Sequence, residues 1–271
     1  MVLPRTEFFE RALRDVYQRL QAHPVVQQHL SGSIRLDGQV LGPSTLVELD
    51  NFLLSGAEFA QLLLVFDGAR AHEQLQREVG LDHSPPGLYF TSVQTTLLQH
   101  PHKTRVGIYE EADDAGAEKA SLWLYVEDGA YSELADEGYG VEVGGALHID
   151  HLYLHPHAPD WLGTIAFALC AITAHCLGYL RVTLVAGGGV GYNEHMFGYL
   201  YWPKLGFDAS LESHDEGIPE FAGCATVLDV LERDEQAWAT YGSQRLMEFD
   251  LAPESRSWRK LLDYLHDKEL L

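Results

Sequence analysis

ALHIDHLYLHPHAPDWLGTIAFALCAITAHCLGYLRVTLVA, residues 146–186, decides the fold. Its first part, Ala146 to Leu154, is the strongest strand pattern in the chain and is closed by Pro156. Trp161 to Leu177 carries no Asp, Glu, Lys or Arg and reads as a helix. Arg181 to Ala186 is a short apolar strand. A strand–helix–strand order implies a parallel pair joined by a right-handed crossover. The uncharged stretch Trp161–Leu180 just has the length of a membrane span. His175, two glycines, many small residues and the flanking strands instead read it as a helix buried on a sheet.

Working outward, Thr104–Glu110 and Ser121–Glu127 flank an acidic loop and predict an antiparallel hairpin. Leu88–Thr91 is a short strand candidate. The N-terminal region predicts helices. Phe8, Phe9, Ala12, Leu13, Val16, Tyr17 and Leu20 share one helical face. Leu46–Leu64 has helix-compatible spacing, and Val65–Gly80 continues the layer. His83-Ser84-Pro85-Pro86-Gly87 breaks it. Past the second strand, Asn193–Trp202 predicts a helix stopped by Pro203, and Val227–Tyr241 and the face of Trp258, Leu261, Leu262 and Leu265 predict a helical tail. The expected domains are residues 1–85 (helical), 86–226 (α/β) and 227–271 (helical), around a mixed sheet.

The chain has 271 residues, with 40 acidic and 18 basic side chains and a net charge of −22. That balance repels nucleic acid and anionic membranes and favours a cationic small molecule or a basic protein surface. Eleven acidic residues against one lysine lie between Glu110 and Glu142. Cys170, Cys176 and Cys224 have no framework spacing and read as reduced, buried thiols in a cytoplasmic protein.

Three pieces in order resemble the GNAT (N-acetyltransferase) superfamily, over about residues 104–208. They are Ile149-Asp150-His151-Leu152-Tyr153-Leu154-His155-Pro156, the helix with Gly163 near its start, and Asn193 followed by Trp202-Pro203-Lys204-Leu205-Gly206-Phe207. The resemblance implies an α/β, GNAT-like acyl-CoA N-acyltransferase fold with a helical N-terminal extension and C-terminal helices. It implies acyl transfer from acetyl-CoA or another acyl-CoA to an amine. It places the pantetheine arm against backbone groups near Leu152 and Leu154, where neighbouring strands splay at a bulge. It places the pyrophosphate over the helix N-terminus at Gly163 and Thr164, with Asn193 beside the cofactor. His148 stands where many members carry a glutamate, and with Asp150 on the same strand face it is the candidate base. Trp202 stands at the position of the family's acid, and the helix from Asn193 is about two residues longer than the family's, so Tyr199 or Tyr201 is the candidate acid. The family's cofactor loop begins with Arg or Gln and ends with Gly or Ala, whereas Asp160 and Ile165 stand here. Asp160 is also placed to cap the helix.

Two further arrangements have the residue types of a chemical site. His148, Asp150, His151, His155 and His157 lie within ten residues. They match no zinc-ligand spacing, so no metal is expected. Gly187-Gly188-Gly189-Val190-Gly191 lacks the Gly-Lys-Ser/Thr of a phosphate loop and reads as a flexible connector. The alternative function is a catalytically inactive GNAT-like interaction module whose acidic surface meets a basic partner.

Overall fold

The structure is a computed structural model that describes residues 3–29, 34–36, 39–42, 44–49, 52–62, 89–95, 102–111, 121–130, 144–151 and 159–271. It is an α+β chain of mixed helix and strand. It packs as two compact units, Arg5–Leu180 and Arg181–Leu271, the latter with Met1–Pro4. The division falls inside the 86–226 segment expected to form one domain.

In the unit Arg5–Leu180, α1 (Arg5–Phe8) runs through a π-helical turn (Phe9–Leu13) into α2 (Arg14–Ala22). Phe8, Leu13 and Leu20 are its buried residues. The wider turn absorbs the five-residue step from Phe8 to Leu13. Helix α3 (Pro24–His29) starts on the proline, whose missing N–H costs nothing at a first turn.

The helical reading of residues 1–85 needs correction. Strands β1 (Ile34–Leu36) and β2 (Gln39–Leu41) are paired antiparallel. Leu46–Leu64 opens with a hairpin, β3 (Leu46–Leu49) and β4 (Phe52–Ser55), with Leu49 opposite Phe52. Two short apolar runs fit either period, so the local pattern does not choose between helix and strand. Helix α4 (Gly56–Leu62) begins only after them. Ser55 Oγ accepts from the Glu58 N–H at 3.2 Å, and Glu58 Oε2 accepts from the Ser55 N–H at 2.8 Å. This reciprocal cap starts the helix at Gly56. The readings of Val65–Gly80 and of the breaker at 83–87 lie outside the described residues.

The hairpin expectation holds. Strands β6 (His102–Glu111) and β7 (Ser121–Ala130) are antiparallel, with Tyr109 opposite Trp123. Strand β5 (Tyr89–Thr95) pairs antiparallel with β6 and with β8 (Gly144–His151). β1 joins β7 in parallel at Leu36–Leu124, so the sheet is mixed.

Helix α5 (Leu162–Cys176) is buried at every position from Leu162 to His175. An apolar surface on all sides suits burial all round. Its polar groups are met from the N-terminal helices and α4. Arg5 Nη1 donates to the His175 carbonyl at 2.9 Å, and His175 Nε2 lies 3.2 Å from the Arg5 carbonyl. Thr173 Oγ1 and Tyr17 Oη both donate to Gln61 Oε1, at 2.7 and 3.1 Å. Such pairing is what lets polar atoms enter an apolar core. Among the described residues no helix is long and apolar enough to cross a membrane.

In the unit Arg181–Leu271, β9 (Arg181–Gly189) pairs antiparallel with β10 (Ser243–Asp250). Around them lie α6 (Gly198–Lys204), α7 (Val227–Arg233), α8 (Glu235–Tyr241) and α9 (Arg256–Asp267). β10 corrects the expectation of a purely helical tail. Ser243, Arg245, Met247 and Phe249 alternate into the core. Arg245 at an inward position masks the apolar period.

Helix α6 also departs from expectation at both ends. It starts at Gly198, and it contains Pro203 rather than ending before it. Proline cannot donate to the carbonyl four residues back, that of Tyr199. That carbonyl accepts instead from Trp238 Nε1 at 2.8 Å. The helix ends at Gly206, φ +98°, where the Phe207 N–H reaches the Trp202 carbonyl at 3.2 Å and the Gly206 N–H reaches that of Pro203 at 3.0 Å. This is a Schellman ending, and it explains Leu205-Gly206-Phe207 in local terms. Phe207 turns inward, and Trp202, Phe207, Phe249 and Trp258 form a chain of edge-on rings 5.1–5.7 Å apart.

Candidate functional site

The expected base pair lies on β8. His148 stands opposite Thr91 in the ladder with β5. The register then slips: Phe90 pairs with Ile149 but Tyr89 pairs with His151. Asp150 is the extra residue on the β8 side, so the strand is bulged there. A bulge breaks strict alternation, so the assumption that His148 and Asp150 share one face with the residues beyond does not carry through it. Leu152 and Leu154, the expected pantetheine contacts, and the wedge beyond Asp150 lie outside the described residues, as do His155 and His157.

Gly163 and Thr164 occupy the first turn of α5, both buried. Asp160 does not cap this helix. The N-cap residue is Trp161, in a left-handed conformation with φ +68°, and its side chain forms no capping bond. The Ile165 N–H reaches the Trp161 carbonyl at 2.8 Å and the Leu162 N–H reaches that of Pro159 at 3.2 Å. The left-handed turn at Trp161 places Asp160 one residue too early, and it is exposed.

In the other unit, Asn193 lies before helix α6 rather than in it. It is exposed, and its Oδ1 accepts from the His195 N–H at 2.9 Å, forming a local turn. Tyr201 is half-buried on α6, edge-on to Trp202 at 5.2 Å. Trp202 is core. Tyr199 Oη donates to the Ala239 carbonyl at 3.4 Å. Of the candidate residues, the structure therefore brings His148 and Asp150 together on one strand, Gly163 and Thr164 together on one helix, and Asn193 and Tyr201 into the segment after β9.

The glycine run is not a flexible connector. Gly187–Gly189 form the end of β9, and Gly188 bridges Phe197. A Cβ on Gly188 would lie 1.8 Å from the Met196 carbonyl oxygen, and one on Gly189 would lie 2.4 Å from that of Gly242. These glycines exist to let backbones touch.

One polar cluster escaped the sequence reading. Arg245 meets Asp215 through two bonds, Nη1–Oδ2 at 2.8 Å and Nη2–Oδ1 at 3.2 Å. Their side chains are 1% and 0% exposed. Arg245 Nη2 also donates to Ser243 Oγ at 3.1 Å, and the guanidinium stacks on Trp238 at 4.8 Å. His214 Nε2 lies 3.3 Å from Ser243 Oγ and 3.4 Å from Asp215 Oδ1, and its Nδ1 lies 3.5 Å from Glu212 Oε2. Burial opposes ionisation of Asp215, but the Arg245 guanidinium and the Glu212 N–H outweigh it and hold the carboxyl below its ordinary value. The cluster ties the 211–225 loop to β10. Its only trace in the sequence is a charged residue inside an alternating strand, because its partner stands 30 positions away. Nearby, Arg256 gathers Asp208, Asp229 and Glu232 at 3.7, 2.8 and 2.9 Å and pins α9 to α7.

Among the described residues no group of three His, Cys, Asp or Glu is placed to hold a metal ion. The cysteines are free, but only Cys170 is buried, which corrects the expectation for Cys176 and Cys224. Desolvation and then Glu58 push the Cys176 thiol up to about 11, so exposure does not make it a thiolate. Alkylation of the native chain at neutral pH, counted by mass spectrometry, is expected to modify at most Cys176 and Cys224, with Cys170 reacting only on unfolding.

Comparison with protein-family models, with curated proteins and with solved structures finds no match.

Proposed function

We propose that the chain is a GNAT-like N-acyltransferase that moves an acetyl or other acyl group from acyl-CoA to an amine. The observation that carries this reading is the register slip at Asp150, in the antiparallel ladder with β5, on the strand to which the resemblance assigns the pantetheine site. A bulge leaves main-chain groups out of the ladder, and an extended ligand arm can pair with such groups.

The residues present meet acyl-CoA only in part. The backbone suits it: Gly163 and Thr164 stand in the first turn of α5. The charge opposes it. Asp160 is exposed beside that helix end, and only Lys119 and Arg181 are basic between Val106 and Pro203. The reading therefore expects weak cofactor binding. The bound cofactor supplies an activated thioester. The chain's own part is to take the amine proton at His148 or Asp150.

The test is a thermal shift with acetyl-CoA. A ligand present at a hundred times its Kd stabilises by about 2.7 kcal/mol. A small upward shift at millimolar acetyl-CoA is expected, and Asp160→Arg is expected to enlarge it by replacing a repelling charge. No shift in either protein removes the acyltransferase reading.

The same missing basic side chains favour the second reading, a cofactor-free interaction module. It expects no response to acetyl-CoA and binding to a basic partner.

A further inference from the structure

We propose that the loop from Val190 to Phe197 is a docking surface for a basic, arginine- or lysine-rich segment of a protein partner. The proposal stands apart from acyl transfer and rests on exposure, rigidity and charge within the unit Arg181–Leu271.

Exposure comes first. Phe197 is 65% exposed, Val190 59% and Tyr192 50%. Tyr241, which precedes the Gly242 that supports the loop, is 40% exposed. One exposed apolar side chain needs no explanation, but three on an eight-residue loop mark a contact surface.

Rigidity comes next. The Val190 N–H bonds the Gly242 carbonyl at 3.0 Å and the Tyr192 N–H bonds that of Gly189 at 3.1 Å. The Met196 N–H bonds the Asn193 carbonyl at 3.2 Å, and Phe197 bridges Gly188. Three glycines with positive φ, Gly188, Gly189 and Gly191, hold these turns. A loop fixed in this way shows its aromatic rings without an ordering cost on binding.

Charge selects the partner. No Lys or Arg occurs between Arg181 and Lys204, and Lys204 is already paired with Glu235 at 2.6 Å. Glu194 stands exposed between Tyr192 and Phe197. Exposed Tyr and Phe faces attract guanidinium and ammonium groups, and a chain of net charge −22 draws a basic segment in from a distance. The same charge turns anionic membranes away.

The probe is a synthetic peptide of alternating arginine and leucine, titrated calorimetrically into the full chain, with a glutamate–leucine peptide as control. The arginine peptide is expected to bind and the control is not. Tyr192→Ser/Phe197→Ser is expected to lower the affinity at least about tenfold, a loss typical of truncated aromatic anchors. Glu194→Lys, which removes no apolar contact, is expected to weaken binding and to flatten its salt dependence. The proposal is overturned if the arginine peptide does not bind, or if it binds the double variant as tightly as the native chain. Capture of the native chain, and not of the double variant, by phosphatidylcholine vesicles would assign the loop to a lipid surface and overturn it equally.

Discussion

Asp215→Ala is expected to destabilise the unit Arg181–Leu271 by about 3–5 kcal/mol, the cost of stranding one partner of a buried ion pair. Arg245 would keep its charge with its side chain 1% exposed. Ser243 Oγ, the Ser243 carbonyl and the Trp238 ring would remain to it, and none of them is an anion. The Glu212 N–H would lose its 2.7 Å acceptor as well. Denaturant unfolding followed by tryptophan fluorescence reads the loss, since Trp238 lies against Arg245. Asp215→Leu/Arg245→Met serves as the control: removing both charges is expected to restore most of the stability. A double variant as unstable as the single one would show that packing, rather than the unpaired charge, carries the effect.

The same pair fixes a pH dependence. The Asp215 carboxyl titrates below its ordinary value in the folded chain. Its stabilisation is therefore complete above the ordinary carboxylate range and is lost as pH falls through the lower, folded value. The carboxyl of Asp229 is likewise lowered, first by the Ala225 N–H, and contributes with the same sign. Asp208 acts in the opposite sense, because burial raises it, and its protonated form suits the folded state. The native chain is expected to lose more stability between neutral and strongly acidic pH than Asp215→Asn does. Parallel pH curves for the two proteins would contradict this.

Gly188→Ala is the second large effect. Gly188 has φ +102°, where a side chain is strained by about 1–3 kcal/mol. The added Cβ would also stand 1.8 Å from a carbonyl oxygen of Met196, so the backbone must move. The bridge to Phe197 is the element expected to break. Gly191→Ala separates the two causes: its φ is +82°, and nothing lies within 4 Å of the new Cβ. Gly191→Ala is expected to show the strain alone, and Gly188→Ala to lose far more, as a lower Tm and earlier cleavage by protease near residue 190. Equal losses in the two variants would mean that the close approach carries no weight.

Much of the chain was legible because its elements announce themselves locally. The β6–β7 hairpin, β8, the buried helix α5 and the start of β9 each carry a period within one segment. The misreadings have local causes too. The 46–55 stretch holds two apolar runs too short for a period to choose between helix and strand. Asp160 was the obvious cap by residue type, but a left-handed turn at Trp161 moved the helix start past it. In the candidate site, the strand of His148 and Asp150 was legible. The slip at Asp150 was not, because it depends on where β5 runs.

By itself, the sequence determined an acidic α+β chain, its principal strands and its buried helix, since hydrophobic period and charge are properties of neighbouring residues. Only the tertiary structure decided that Arg245 faces inward, that Pro203 stays inside a helix, and that Gly189 closes on a second backbone. Each depends on a partner far along the chain: Asp215 for the guanidinium, the Trp238 indole for the orphaned Tyr199 carbonyl, Gly242 for the glycine strand. A buried charge or an unmet carbonyl is costly until its partner arrives, and that partner is chosen by the fold rather than by the next residue.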